Sequence, residues 1–80
     1  MNIELNKMEQ LEDTIHNVLK YTNYAKGYIM AKNYNLANVC LDNAQEYLID
    51  LSFQEPKLYN IIKREYESVK KDYEDKRGKK

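Results

Sequence analysis

Turn-forming residues are scarce in this chain: two glycines and one proline in 80 residues. A sheet needs a reversal after every short strand, and Gly and Pro supply most of them. So few argue against a sheet and for a few long helices, which the dominance of Leu, Lys, Glu, Asn and Tyr also suits. Cysteine occurs once, at Cys40. An internal disulfide and a cysteine-based zinc site are thereby excluded, and a reducing compartment fits. The longest unbroken apolar run is Tyr28-Ile29-Met30-Ala31, far short of the ~20 residues that cross a bilayer. Met1 to Gln10 lacks the apolar segment of a secretory leader. The expectation is a soluble, cytoplasmic protein without membrane insertion, its mature form being the whole chain. At this length it forms one domain that buries little more than ~60% of its unfolded surface, so the core is thin.

The formal net charge is zero, but it is unevenly spread. Residues 1–31 carry a net −1, residues 32–54 a net −2 and residues 55–80 a net +3. The middle is acidic and the end basic. Nine Asn, eight Tyr, and eleven Lys against two Arg are what AT-rich codons produce, pointing to a bacterial, phage or plasmid genome.

The clearest pattern lies between Tyr21 and Ala44. Tyr21, Tyr24, Ala25 and Tyr28 precede Asn33-Tyr34, and Ala37, Leu41 and Ala44 follow it. Small residues let two helix backbones approach while aromatic rings fill the flanks, so this spacing predicts a tight helical hairpin. The first helix is predicted over Ile3 to Lys32, with Met8, Leu11, Ile15, Val18, Thr22, Ala25 and Ile29 forming a seam of alternating steps of three and four. Gly27 inside it marks a close backbone approach or a bend, or is simply tolerated. Asn33 is predicted to close this helix in a left-handed conformation and Asn35 to cap the next, whose inward positions are Ala37, Cys40, Leu41, Ala44, Leu48 and Leu51. Ser52-Phe53-Gln54-Glu55-Pro56 is the second break. Ser52 and Glu55 have capping-box spacing, Pro56 suits a first helical turn, and Phe53 is expected to staple the corner. A third helix follows from about Leu58 to Arg77 with Ile62, Tyr66, Val69 and Tyr73 as its apolar stripe. The fold class is therefore all-α, a small antiparallel three-helix bundle over residues 1–77 with a disordered basic tail at 78–80.

The segment Ala31-Lys32-Asn33-Tyr34-Asn35-Leu36-Ala37, followed by Leu41, Ala44 and Leu48, is similar to the turn and second helix of a tetratricopeptide-type hairpin. One unit is present, and an array needs about three, so length excludes a solenoid. Over roughly residues 8–77 the chain resembles the MIT domain, a three-helix module containing the same hairpin and ending in a basic third helix. Ile62-Lys63-Arg64-Glu65-Tyr66 and Lys70-Lys71-Asp72-Tyr73-Glu74 carry that likeness. The resemblance implies a three-helix fold.

Catalytic chemistry finds no support. His16 is the sole histidine and lies off the first-helix seam, and neither Asp13 nor Lys20 completes a nucleophile or metal set with it. Glu9, Glu12 and Asp13, or Asp42, Glu46 and Asp50, lack the Glu-x-x-His step of di-metal bundles and are expected as solvated faces. There is no glycine-rich phosphate loop. The chain is expected to be a non-enzyme with no cofactor and no metal.

Binding is the remaining class of function. The primary expectation is a protein-interaction module or small regulator that holds an amphipathic helix or self-associates through helix faces. Eight tyrosines exceed what a core of this size takes, and Tyr47, Tyr59, Tyr66 and Tyr73 are the candidates to line a groove between the second and third helices. The long first-helix seam is a second surface for a homo-oligomer. The alternative is nucleic-acid association through Lys63, Arg64, Lys70, Lys71, Lys76 and Arg77, with Lys79 and Lys80 beyond them. Against it stand Glu65, Glu67, Asp72, Glu74 and Asp75, interleaved among those bases.

Overall fold

A computed structural model describes the backbone of residues 3–78 and the side chains of residues 7–78. Its order is α1 (Ile3–Met30), α2 (Tyr34–Gln54) and α3 (Pro56–Gly78), with every pair of helices in contact. The predicted all-α three-helix bundle is the observed fold. Gly78 still belongs to α3, and the remainder of the predicted tail, Lys79 and Lys80, lies outside the described residues.

The core is one continuous cluster. Val18, Ala25 and Ile29 come from α1; Ala37, Cys40, Leu41, Ala44, Leu48 and Leu51 from α2; Tyr66, Val69 and Tyr73 from α3. All six inward positions predicted for α2 are buried. Ala25, Ala37 and Ala44 are fully inaccessible, as close backbone approach requires. The molecule measures 55 × 19 × 14 Å, so among the described residues each helix has an inward stripe and an outward face. On α1 the seam is internal at Val18, Thr22, Ala25 and Ile29, partly covered at Leu11 and Ile15, and open at Met8. Most of the surface expected to zip against a second copy is thus used inside the protomer.

Gly27 meets nothing within 4 Å of where a Cβ would stand. No close backbone approach therefore explains it.

The first turn comes earlier than expected, with α1 ending at Met30 rather than Lys32. Lys32, not Asn33, takes the left-handed conformation, with φ 61°. Its N–H donates to the Ile29 carbonyl at 3.0 Å and the Asn33 N–H to the Tyr28 carbonyl at 2.8 Å, the paired bonds that close a helix at a left-handed residue. Asn33 is then free, at φ −93°, to cap α2, its Oδ1 accepting the Leu36 N–H at 3.3 Å. With Lys32 left-handed, the cap falls at Asn33 instead of Asn35, and Asn35 enters the helix.

The second corner is corrected more substantially. α2 does not stop at Leu51 but continues to Gln54. Ser52 is no cap: its hydroxyl donates to the Ile49 carbonyl at 2.6 Å, within the helix. The extra turn carries Phe53 outward, where it is 83% exposed and staples nothing. Glu55 alone makes the corner, with φ −151° and ψ 87°, the extended geometry that a following proline imposes. Its N–H ends α2 on the Leu51 carbonyl at 2.8 Å while its carbonyl accepts the Tyr59 N–H at 2.9 Å. Pro56, lacking an N–H that the first turn would leave unbonded anyway, opens α3 two residues before the expected start.

Two threonines are buried in α1. Thr14 is satisfied, its hydroxyl donating to the Gln10 carbonyl at 2.9 Å and accepting from Gln54 Nε2 at 3.3 Å. Thr22 is fully buried, and its Oγ1 has no hydrogen-bond partner.

Candidate interaction surface

The tyrosines sort by depth. Tyr66 and Tyr73 are 7% and 6% exposed and belong to the core, so the open groove lining expected of them is corrected: the stripe that carries them is the one α3 turns inward. Tyr47 and Tyr59 are half-buried at the core edge. Tyr47 stacks on Tyr21 with ring centroids 6.0 Å apart and planes 8° from parallel, joining α2 to α1 rather than facing α3. Tyr24 meets Tyr21 edge to face at 6.1 Å, and Tyr34 meets Tyr73 at 6.3 Å, tying the hairpin turn to α3. The rings are structural rivets first.

A pattern legible in the sequence but not anticipated runs along α3. Tyr59, Tyr66 and Tyr73 recur every seventh residue, and each has a base four residues on: Lys63, Lys70 and Arg77. In the structure each cation lies over its ring, at 5.3, 5.9 and 5.7 Å from the centroid. Such contacts contribute about 0.5–1 kcal/mol each at exposed sites. The signal was available as a heptad repeat with aromatic and basic positions.

That repeat divides the predicted nucleic-acid residues among faces. Lys63, Lys70 and Arg77 flank the core; Lys76 pairs with Asp72 one turn earlier at 3.3 Å. Only Arg64 and Lys71 stand on the outward side, in line with Lys57 and with Ile61, itself 63% exposed. Lys57, Ile61, Arg64, Ser68 and Lys71 form a stripe stepping by four and three.

The outward side of α2 is its counterpart in sign. Val39, Asp42, Glu46, Ile49 and Phe53 step by three and four along it, with Asp50 beside Ile49. Every one of these residues is exposed, Val39 by 52% and Ile49 by 49%. No residue of α2 is basic. Among the described residues the ion pairs are Lys26 with Glu65 and Lys76 with Asp72, and none of them involves Asp42, Glu46 or Asp50. An apolar stripe set among uncompensated acids is the least self-satisfied surface of the molecule.

Elsewhere the surface is unremarkable chemically. An open cleft of about 440 Å³ lies at the end of the bundle between α1 and the second corner, lined by Lys7, Met8, Gln10, Leu11, Gln54 and Glu55. His16 is exposed. Cys40 is buried, and that burial pushes its thiol above the ordinary value. Burial likewise raises Tyr66, outweighing Lys70 beside it, which acts in the opposite sense. Among the described residues no three His, Cys, Asp or Glu side chains converge, and no helix is long and apolar enough to cross a membrane. No protein-family model matches the chain, and no curated protein or solved structure matches it.

Proposed function

We propose that this chain is a non-enzymatic protein-interaction module whose outward α2 face receives an amphipathic helix bearing apolar and basic residues. One observation carries the proposal: Val39, Ile49 and Phe53 are exposed in register with Asp42, Glu46 and Asp50 on a helix with no base. Leaving a phenylalanine 83% exposed on a rigid helix costs solubility without stabilising the fold, and a helix laid along the stripe would cover it. Such helix-in-face docking also suits the MIT-like and tetratricopeptide-like arrangement of the hairpin. A small regulatory role, exerted by occupancy of this face, agrees with the thin core.

The experiment is a titration of isotope-labelled protein with a synthetic helical peptide of about five turns that carries Leu on one side and Lys and Arg beside it. Amide shifts confined to Val39–Phe53, lost in Phe53→Asp, are the expected result. Shifts spread over other helices, or none at millimolar peptide, would refute the assignment of the face.

The nucleic-acid alternative draws on the basic α3. Most of its cations are committed to tyrosine rings or to Asp72, which leaves a short row rather than a patch. The expected behaviour is elution from heparin below ~0.3 M salt, without the steep salt slope of phosphate binding.

A further inference from the structure

We propose that the occupant of the outward α2 face is the outward α3 face of a second copy of this chain, packed antiparallel along it. The inference rests on the docking face assigned above and adds the identity of its partner. The two stripes are complementary in chemistry and equal in length. From Val39 to Phe53 and from Lys57 to Lys71 each runs about 21 Å at ~1.5 Å per residue. One carries acids without bases; the other carries Lys57, Arg64 and Lys71, with Glu67 the acid beside Arg64 and Lys71 on that side. Each holds exposed apolar residues: Val39, Ile49 and Phe53 on α2, Ile61 on α3.

Direction and register follow from matching the stripes. Run antiparallel, Glu46 faces Arg64 of the neighbouring copy, Ile49 faces its Ile61, Phe53 lies under its Lys57 and Val39 along the stem of its Lys71. Asp50 then sits within a turn of Arg64 and Lys57 of the neighbour, and Asp42 within a turn of its Lys71. Run parallel, Glu46 would still face Arg64, and Phe53 and Val39 would still meet lysines, but Ile61 would face Asp42 and Ile49 would face Ser68. The antiparallel arrangement is selected because it alone pairs Ile49 with Ile61 and keeps an isoleucine off an acid.

The contact joins two different faces, so it is heterologous: in a pair, one copy keeps its α3 face free and the other its α2 face. In the protomer α2 and α3 already run side by side from the Glu55 corner to the Tyr34 and Tyr73 pair. The proposed register places the neighbouring copy at the same height, without the axial displacement that makes a filament, and so favours a closed ring. A single helix pair of four turns buries an area at the low end of specific interfaces, under ~1,200 Å² in total, so association is weak and concentration-dependent.

Sedimentation velocity from about 10 to 500 μM at low salt tests it. The expected result is a mass that rises with concentration toward a discrete oligomer and falls in 0.5 M salt. Glu46→Lys and Arg64→Glu are each expected to weaken association at least tenfold, and the double charge swap to restore it. Phe53→Ser should weaken it without altering helix content, since Phe53 supports nothing in the protomer. A wild type that stays monomeric at 500 μM overturns the proposal. So does a double swap no stronger than the single variants. Should α2 amides still shift with the basic peptide in a strictly monomeric protein, the second copy is eliminated as occupant and the docking face stands; if both fail, the face falls too.

Discussion

Replacing Thr22 by valine should stabilise this protein, although it removes a hydroxyl. Thr22 is fully buried and its Oγ1 has no partner. On folding that hydroxyl gives up its bonds to water for nothing, at a cost of about 1–3 kcal/mol. Valine fills nearly the same volume, has the same branching at Cβ and a similar helix propensity, so packing and side-chain entropy change little. The expected gain is about 1 kcal/mol, or roughly 4–8 °C in Tm for a domain of this size. Urea and thermal unfolding followed by circular dichroism would measure it, with an unchanged urea m-value showing that the effect is one of stability. Thr14→Val is the internal control. Its hydroxyl is bonded to Gln10 and Gln54, so the same exchange there should destabilise by about 1 kcal/mol. A Tm for Thr22→Val equal to or below wild type would refute the reasoning, as would equal effects at the two sites.

Further outcomes follow from the turns and the core. Gly27→Ala, in open space on an α-helix, should add about 1 kcal/mol by the same unfolding assay. Lys32→Gly should also stabilise, by up to about 1 kcal/mol, because Lys32 holds a positive φ that glycine adopts without penalty; a loss would show that the lysine side chain matters more than its backbone. Ala44→Glu buries a charge at a fully inaccessible position and should abolish the cooperative melt, its cost being comparable to the ~4–12 kcal/mol that holds together a domain of this length. Burial raises the Cys40 and Tyr66 pKa values, so the unfolded chain ionises first as pH rises. Stability should be complete below pH ~8.5 and fall above it through Cys40, then again above pH ~10 through Tyr66. Cys40→Ala, compared with wild type at each pH, should remove the first of these losses.

Helix count, the hairpin and the inward stripe of α2 were legible because their signals are local and periodic. Ala37, Leu41, Ala44, Leu48 and Leu51 repeat at helical spacing without a charged residue among them, unlike the opposite stripe with Asp42 and Glu46. The turns were legible only in outline. Asn33 and Asn35 are each good for capping and for a left-handed bend, and which residue takes which role depends on where α1 runs out of hydrogen bonds, a matter of one residue. At the second corner the Ser52 and Glu55 spacing competed with Pro56, and the proline prevailed because its effect on Glu55 is steric.

Which tyrosines are covered was legible only in part. The predicted α3 stripe already held Tyr66 and Tyr73, which are buried, although the same two rings were also expected to line a groove. For the others a ring tolerates either the core edge or the surface. Packing decided that Tyr47 joins Tyr21 and that Phe53 stays out. The same holds for the acids of α2. Their spacing is written in the sequence, but that they share an outward face with Val39, Ile49 and Phe53, opposite in sign to the outward face of α3, follows only once three helices have chosen which sides to turn toward one another. Residue order determined the helices and their apolar stripes, because a 3.6-residue period is a property of the chain alone. Tertiary packing decided the surface, because a face is outward only relative to neighbours that lie far away along the chain.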